Sequence, residues 1–386
     1  MVALLIKKLF ISLMSITVLL AVLPIYHTAK AVSEPSTSAY SAILINASTG
    51  EVIYSKNATD TRSMASTTKI MTAILAIESG KMQDEVLITA DMVGAEGTSI
   101  GLEEGYIMTL ETLVTGMLLE SGNDAANAVA VYIGGSLEEF AVLMNEKAEQ
   151  IGMNDSNFVT PSGLDDDEHY TTAYDMALLG AYAIENEEFC KICSTESIQM
   201  QYIEPEKYVT FSNHNSFLNY YDGAFGIKTG YTSKSGRCLV TAVEQDGVTL
   251  VAVTLNASDD WNDHIAMYDY GFEVTNSKEI NFEFEQSVSV YGSTKTQINV
   301  QLSQEMYTYY GMRISDEFEQ KVYINNILYA PIEKGENLGY IELYYEGKLV
   351  NIVEILAAEN AESIEPTYEA KTGLFDWIKQ IIKKWF

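Results

Sequence analysis

The sequence predicts an α+β domain followed by a small β-rich domain, on three observations. Turn-linked β-type segments stand at both ends of residues 38–275, and five stretches with helical spacing of apolar residues lie between them. From 281 to 356 the pattern changes to short alternating segments punctuated by turn residues. Strands at both ends with helices between them argue for segregated α and β layers, because an α/β chain would alternate the two.

Residues 1–31 precede this body. Lys7 and Lys8 form a basic start, an uncharged run from Leu9 to Tyr26 follows, and Ala29-Lys30-Ala31 supplies small residues at a cleavage distance. That is the layout of a secretory signal peptide, with an uncleaved anchor as the alternative. The first domain opens with Ser41–Asn46 and Glu51–Tyr54 around a Ser48-Thr49-Gly50 turn, which reads as a hairpin. Ser66–Glu78, Thr109–Glu120, Ala125–Ile133, Leu137–Ile151 and Ala173–Ile184 carry apolar residues at helical spacing. Arg237–Glu244 and Val248–Asn256 are β-rich and joined by Asp246-Gly247, a strong hairpin signal. In the second domain Ser287–Tyr291, Gln297–Leu302 and Tyr340–Tyr345 alternate. Residues 357–373 are acidic and read as a tether. Residues 374–386 place Leu374, Phe375, Trp377, Ile378, Ile381, Ile382, Trp385 and Phe386 on one half of a helical wheel, with Lys379, Lys383 and Lys384 on the other. Such a segment is too short and charged to span a bilayer and suits a helix lying in the interface, or one docking on the protein's own core.

Composition narrows the function. Of 386 residues, 54 are Asp or Glu against 23 Lys or Arg, a formal charge of −31. Phosphate backbones repel such a surface, so nucleic acid is not an expected partner. Removing residues 1–31, which hold three lysines and no acid, makes the remainder more negative still. The three cysteines, Cys190, Cys193 and Cys238, exclude a disulfide scaffold and a four-cysteine zinc site. Cys190-Lys-Ile-Cys193 has no redox context and reads as buried or half-buried thiols.

Three short motifs carry chemistry. Ser66-Thr-Thr-Lys69 opens a helix, so serine and lysine face the same way one turn apart. Lysine serves as a base for serine once its amine is neutral, and burial or a neighbouring cation brings it there. Of twenty lysines, only Lys69 has a serine three residues before it. Ser121-Gly122-Asn123 follows the helix of Thr109–Glu120, where a hydroxyl and an amide two apart can point into one cleft. Ser55-Lys56-Asn57 is a second S-x-N at a hairpin end. Lys228-Thr229-Gly230 precedes the β-rich hairpin. On a strand Lys228 and Gly230 share a face, Thr229 points the other way, and Gly230 lets another chain approach. Lys371-Thr-Gly373 repeats the tripeptide with no strand before it and reads as coincidence.

S-x-x-K, S-x-N and K-T-G in this order, 55 and 107 residues apart, resemble the signature of penicillin-binding proteins and β-lactamases. The surrounding text sharpens the likeness. Met64–Thr72, Leu118–Ala125, Thr160-Pro-Ser-Gly-Leu-Asp165 and Lys228–Thr232 look like the type-5 low-molecular-mass penicillin-binding proteins, serine D-alanyl-D-alanine carboxypeptidases. The resemblance implies a transpeptidase-type domain over 38–275: an antiparallel sheet with helices and a helical subdomain, ahead of the β-rich domain and amphipathic tail. It implies that Ser66 attacks the bond between two D-alanines ending a peptidoglycan stem pentapeptide, and that Lys69 takes its proton. Backbone amides of Ser66 and Tyr231 would form the oxyanion hole. Ser121 would relay a proton to the leaving amine, held by Lys69, Asn123 and Lys228. Lys228 would also keep Lys69 deprotonated, and Thr229 would bind the terminal carboxylate. β-Lactams would acylate the same serine, no metal or cofactor would take part, and the protein would work on the outer face of the cytoplasmic membrane.

One departure stands out. Many members carry a carboxylate-binding arginine after the last hairpin, and here that stretch is Asp259-Asp-Trp-Asn-Asp-His264. The arginines are Arg62, Arg237 and Arg313. Arg237 is a candidate for that task, and equally for a strand-end ion pair. Rival readings are fewer. A β-lactamase would add a deacylating glutamate in an E-x-x-L-N context, and none occurs between the second and third motifs. Gly97-Thr-Ser99-Ile-Gly101 matches a nucleophile elbow, but no strand precedes it and a turn follows. A cross-link endopeptidase and a non-catalytic cell-wall binder share the same motifs. Asp165-Asp-Asp-Glu-His169 reads as a solvated acidic loop ahead of a metal site.

Overall fold

The computed structural model describes residues 33–285, 287–325 and 327–364. The expected signal peptide over 1–31, the end of the expected tether and the amphipathic segment 374–386 lie outside the described residues.

Strands β1 (Ser41–Asn46) and β2 (Val52–Lys56) form the first hairpin. A 3-10 turn, Ala65–Thr68, runs into helix α1 (Lys69–Glu78). The short pair β3 (Glu85–Leu87) and β4 (Ile107–Thr109) leads to α2 (Leu110–Leu119), α3 (Asn123–Gly134) and α4 (Leu137–Ile151). Then come α5 (Ala173–Ile184), α6 (Glu187–Cys193) and the hairpin β5 (Ser197–Tyr202) with β6 (Lys207–Ser212). Strands β7 (Lys228–Thr232), β8 (Gly236–Gln245) and β9 (Val248–Ala257) and helix α7 (Asp260–Val274) close the domain.

The sheet order is β2-β1-β9-β8-β7, with neighbours antiparallel, so β7 is an edge strand. Side-chain alternation divides β1 between two cores. Ile43 and Ile45 join the large helical core, whereas Ala42 and Leu44 face the core that α7 covers. Because both faces are covered, β8 and β9 each bury six successive residues and read as continuous apolar runs. Burying each aliphatic side chain contributes about 1.5–3 kcal/mol, so this sheet is the rigid base of the domain. Helix starts follow side-chain chemistry: Thr109, Ser136, Thr172 and Asn186 each accept a hydrogen bond from a backbone N–H in the first turn.

The expected helix over Ser66–Glu78 begins three residues later. The Thr67 hydroxyl donates to Met64 O at 2.6 Å and Thr68 to Ala65 O at 2.8 Å, and these back-bonds hold the first turn in 3-10 form.

The second domain builds on β10 (Asn276–Asn281), β11 (Ser287–Tyr291), β12 (Gln297–Leu302), β13 (Met306–Gly311), β14 (Phe318–Ile324), β15 (Leu328–Tyr329), β16 (Asn337–Tyr345) and β17 (Lys348–Ala357). Six of them form a sheet in the order β14-β16-β17-β12-β11-β15, and β10 pairs with β13. Its own core centres on Ile298, Ile341, Val353 and Ile355. The hairpin turns of the first domain touch β13: Tyr310 donates to Asp246 O at 3.0 Å, and Met312 N to Glu51 Oε2 at 3.1 Å. The beginning of the expected tether packs on this domain. Ala361 is buried and exchanges backbone hydrogen bonds with Ile332, because its small side chain fits against the sheet where the neighbouring acids face water.

Candidate active site

The three motifs converge. Ser66 lies in the 3-10 turn and Lys69 is the first residue of α1. In a 3-10 turn residues three apart eclipse. Lys69 Nζ accordingly sits 2.8 Å from Ser66 Oγ. Ser121 occupies the junction of α2 and α3 with φ of 61°, a left-handed conformation that turns the chain sharply. Asn123 opens α3, and its Oδ1 lies 2.7 Å from Lys69 Nζ.

Lys69 is fully buried and has a third neighbour, Ser162 O, at 2.7 Å. Two of its three neighbours, Asn123 Oδ1 and Ser162 O, are carbonyl oxygens that only accept. A neutral amine has two N–H groups and one lone pair. In the neutral form its two protons would meet the two carbonyls, and its lone pair would face the Ser66 hydroxyl. The electrostatics agree. Burial drives the Lys69 amine well below its ordinary value, the charge of Lys228 adds in the same direction, and Asp124 opposes both.

Lys228 is also buried, its pKa lowered by that burial to about 7, and its Nζ donates to Thr229 O at 3.1 Å. Two ammonium ions in one pocket repel each other. The charge of Lys228 therefore favours the neutral form of Lys69.

Gly230 faces the serine. A Cβ there would stand 3.0 Å from Ser66 N and 3.1 Å from Thr67 N, so the absent side chain is what lets β7 lie against the Ala65–Thr68 turn. Thr229 and Tyr231 point to the opposite face, and Arg237 stands directly across from Tyr231 on β8. Ser66, Ser121, Thr229, Gly230, Tyr231 and Arg237 line one cavity of about 520 Å³. Arg237 forms the ion pair that the sequence left open: its Nη2 is 2.6 Å from Asp260 Oδ1. It does so on the cavity wall.

Sequence reasoning missed several contributors. Ser162 supplies its carbonyl because Gly163, with φ of +84°, lets the chain press on the Ala65–Thr68 turn. Thr98 O accepts from Asn123 N at 2.7 Å and Glu96 O from Asn123 Nδ2 at 2.6 Å. His214, Asp260 and Trp261 line the cavity. The glycine after Pro161-Ser162 was the one available signal; the others depend on chain crossings with no local pattern.

Ser99 is a loop residue, as its context implied. Its hydroxyl donates to Asp124 Oδ2 at 2.6 Å, and Ile100 N and Leu102 N also donate to that carboxylate. The four acids of the loop are exposed, as expected, and the histidine that ends it is not. His169 is buried, and its Nδ1 accepts from Val159 N at 2.9 Å, so Nε2 carries the proton and donates to Thr68 Oγ1 at 2.8 Å. It braces the Ala65–Thr68 turn. Asp165 accepts from Thr232, and Asp167 pairs with Lys234 at 2.7 Å. Among the described residues no cluster of His, Cys, Asp or Glu has metal-binding geometry. Cys190 is half-buried and Cys193 buried on α6, both as free thiols.

A serine on the cavity wall beside a buried lysine, carbonyls holding that lysine, an edge strand against the serine and a second lysine nearby are the parts of an acyl-transfer site. Comparison with known proteins decides its class. The family described as D-alanyl-D-alanine carboxypeptidase, peptidase S11, matches residues 28–259. The chain belongs to this family. The enzyme is a serine-type D-Ala-D-Ala carboxypeptidase of the penicillin-binding protein 5 kind. The C-terminal domain of penicillin-binding protein 5 matches residues 272–363. The carboxypeptidase is 29% identical over 368 residues to D-alanyl-D-alanine carboxypeptidase DacF of Bacillus subtilis, covering 91% of this chain and 92% of that one. It is 28% identical over 382 residues to DacA of Escherichia coli, covering 91% and 90%. Penicillin-binding protein 5 of Haemophilus influenzae shares the fold, with a TM-score of 0.62 at 24% identity over 86% of this chain and 100% of that one. The Streptomyces K15 DD-transpeptidase superposes with a TM-score of 0.60 at 28% identity, over 63% of this chain and 100% of that one.

Proposed function

We propose that Ser66 is the nucleophile and Lys69 the general base of this carboxypeptidase, acting on a peptidoglycan stem pentapeptide that ends in D-Ala-D-Ala. The observation that carries the assignment is the set of three contacts at Lys69, which leaves its lone pair for the Ser66 proton.

Ser66 Oγ attacks the carbonyl carbon between the two D-alanines, and its proton passes to Lys69 Nζ. The oxyanion is held by the N–H groups of Ser66 and Tyr231, each worth about 3 kcal/mol. Gly230 supports this role by keeping β7 within contact of Ser66 N. The C–N bond breaks, and Ser121 hands the proton of Lys69 to the departing D-alanine amine. Water then attacks the acyl-enzyme, Lys69 takes its proton, and Ser66 is regenerated. Asn123 holds Lys69, and Lys228 supplies the positive charge that keeps Lys69 neutral between turnovers. Thr229 and Arg237, on one face of β7 and β8, bind the terminal carboxylate. A β-lactam acylates Ser66 by the same attack.

Residues 38–275 form the catalytic unit in this reading, and 281–356 a β-rich spacer. The export signal over 1–31 and the amphipathic segment 374–386 place the enzyme on the outer face of the cytoplasmic membrane. Incubating the protein with benzylpenicillin, digesting it and locating the adduct by mass spectrometry tests the core of the assignment: the adduct is expected on Ser66, and one on Ser99 overturns it. Assays on a pentapeptide and on a cross-linked dimer separate carboxypeptidase from endopeptidase use. Truncation after Ala370 is expected to abolish co-sedimentation with liposomes while leaving acylation intact; sedimentation of the truncated form refutes the role of the tail.

A further inference from the structure

The stretch after the last hairpin, where many relatives carry an arginine, has none in this chain, and Asp260 lies in it at the start of α7. Asp260 is buried, although its surroundings include the wall of the catalytic cavity. Its Oδ1 accepts from Arg237 Nε at 3.0 Å, from Arg237 Nη2 at 2.6 Å and from Trp261 N at 3.0 Å. Both arginine bonds lie on the Nε–Nη2 edge of the guanidinium. The Nη1 hydrogens and the second Nη2 hydrogen have no acceptor among the described residues. This end-on edge is the one that meets two carboxylate oxygens side by side.

A second contact restrains the same group. Arg237 Cζ stands 5.6 Å from the centroid of the Trp261 ring. That ring stacks on Phe217 at 6.3 Å with planes 18° apart, and Phe217 is fully buried. The Arg237 side chain is 44% exposed, so the ion pair adds little to folding stability. What it does is orient the guanidinium. Register and alternation put Thr229, Tyr231 and Arg237 on the α7 side of the sheet, while Lys228 and Gly230 face the nucleophile turn. Side chains from both faces of this edge strand still line the one cavity, with Ser66 on one side and Thr229, Tyr231 and Arg237 on the other.

We propose that Asp260 is a positioning residue, which holds Arg237 with its free edge turned to the cavity so that Arg237 reads the substrate's terminal carboxylate, with Trp261 as the wall behind it. The inference rests on the reading of Arg237 given above, and the experiment separates the two.

Kinetics of the full chain are measured on diacetyl-L-Lys-D-Ala-D-Ala and on the same peptide with a C-terminal amide, for wild type, Arg237→Ala, Asp260→Ala, Asp260→Asn and the Asp260→Ala/Arg237→Ala pair. Active sites are counted by benzylpenicillin titration, so misfolded protein drops out. The acid-to-amide ratio of kcat/KM is expected to fall about 10–100-fold in Arg237→Ala, the loss of a charge-assisted hydrogen bond, and mainly through KM. Asp260→Ala is expected to lower the ratio by a similar factor, and the pair no further than Arg237→Ala alone, because the two act as one unit. Asp260→Asn keeps an oxygen acceptor for Arg237 and retains more of the ratio than Asp260→Ala. If Arg237→Ala keeps the wild-type ratio, the reading of Arg237 falls and this inference with it. If Arg237→Ala lowers the ratio but Asp260→Ala does not, or lowers acid and amide alike, the role of Asp260 alone is overturned.

Discussion

Gly163→Ala is expected to damage catalysis more than stability alone explains. A Cβ at Gly163 would stand 1.8 Å from Ala65 O, 2.4 Å from Ala65 C and 2.7 Å from Thr68 Oγ1. Backbone atoms cannot swing aside, so the two chains must separate by about 1.5 Å to reach ordinary contact. The left-handed φ of +84° costs an alanine a further 1–2 kcal/mol, roughly. With overpacking of about 1–3 kcal/mol or more, the total approaches 4 kcal/mol. At about 2–4 °C per kcal/mol, the melting temperature drops by roughly 8–16 °C. The displaced segments carry Ser66 and the Ser162 carbonyl, which is one of the three contacts of Lys69. A misplacement of about 1 Å costs on the order of 100-fold in rate. Gly80→Ala is the control: its φ is +69° with nothing within 4 Å, so it bears the conformational cost alone. Thermal unfolding and the rate of benzylpenicillin acylation, measured well below both melting points, compare the two. If Gly163→Ala acylates at the wild-type rate and melts no lower than Gly80→Ala, the described packing of the 160s loop on the nucleophile turn is wrong.

Lys228→Met removes a cause that lowers the Lys69 pKa, so Lys69 keeps its proton to higher pH and the acid limb of the acylation profile moves upward; a limb that stays put or moves down refutes the coupling. Lys69→Ala is expected to abolish most acylation, and near wild-type acylation refutes the lysine base. His169 is held neutral by burial with its pKa lowered to about 4. Its contribution to stability is complete above the unfolded value near 6.5, falls as pH drops from there towards 4, and amounts to about 3 kcal/mol. His264, lowered to about 3 by burial, has the same sign, so His169→Gln is expected to flatten part of the acid decline in melting temperature and leave the rest.

Much of the first domain was legible because its signals are local. The apolar spacing of Ala173–Ile184 marked α5, and Asp246-Gly247 marked the β8–β9 turn. The β5–β6 hairpin was not read, although Ile198, Met200 and Tyr202 alternate with Ser197, Gln199 and Gln201. Nor was β10, a mostly polar strand that owes its place to pairing with β13.

Chemistry followed the same division. Ser66 and Lys69 are three residues apart, and Lys228 and Gly230 two, so backbone periodicity alone set their shared faces. Ser162, Asp260 and Trp261 have no such relation to the motifs; Ser162 reaches Lys69 because the 160s loop crosses the Ala65–Thr68 turn, and Asp260 and Trp261 reach the cavity because α7 starts beside β8. A lone Arg237 in the sequence is equally a reader or a surface ion pair. Only the tertiary structure shows which groups surround it, because its partners Asp260 and Trp261 are 23 and 24 residues distant along the chain and adjacent in space.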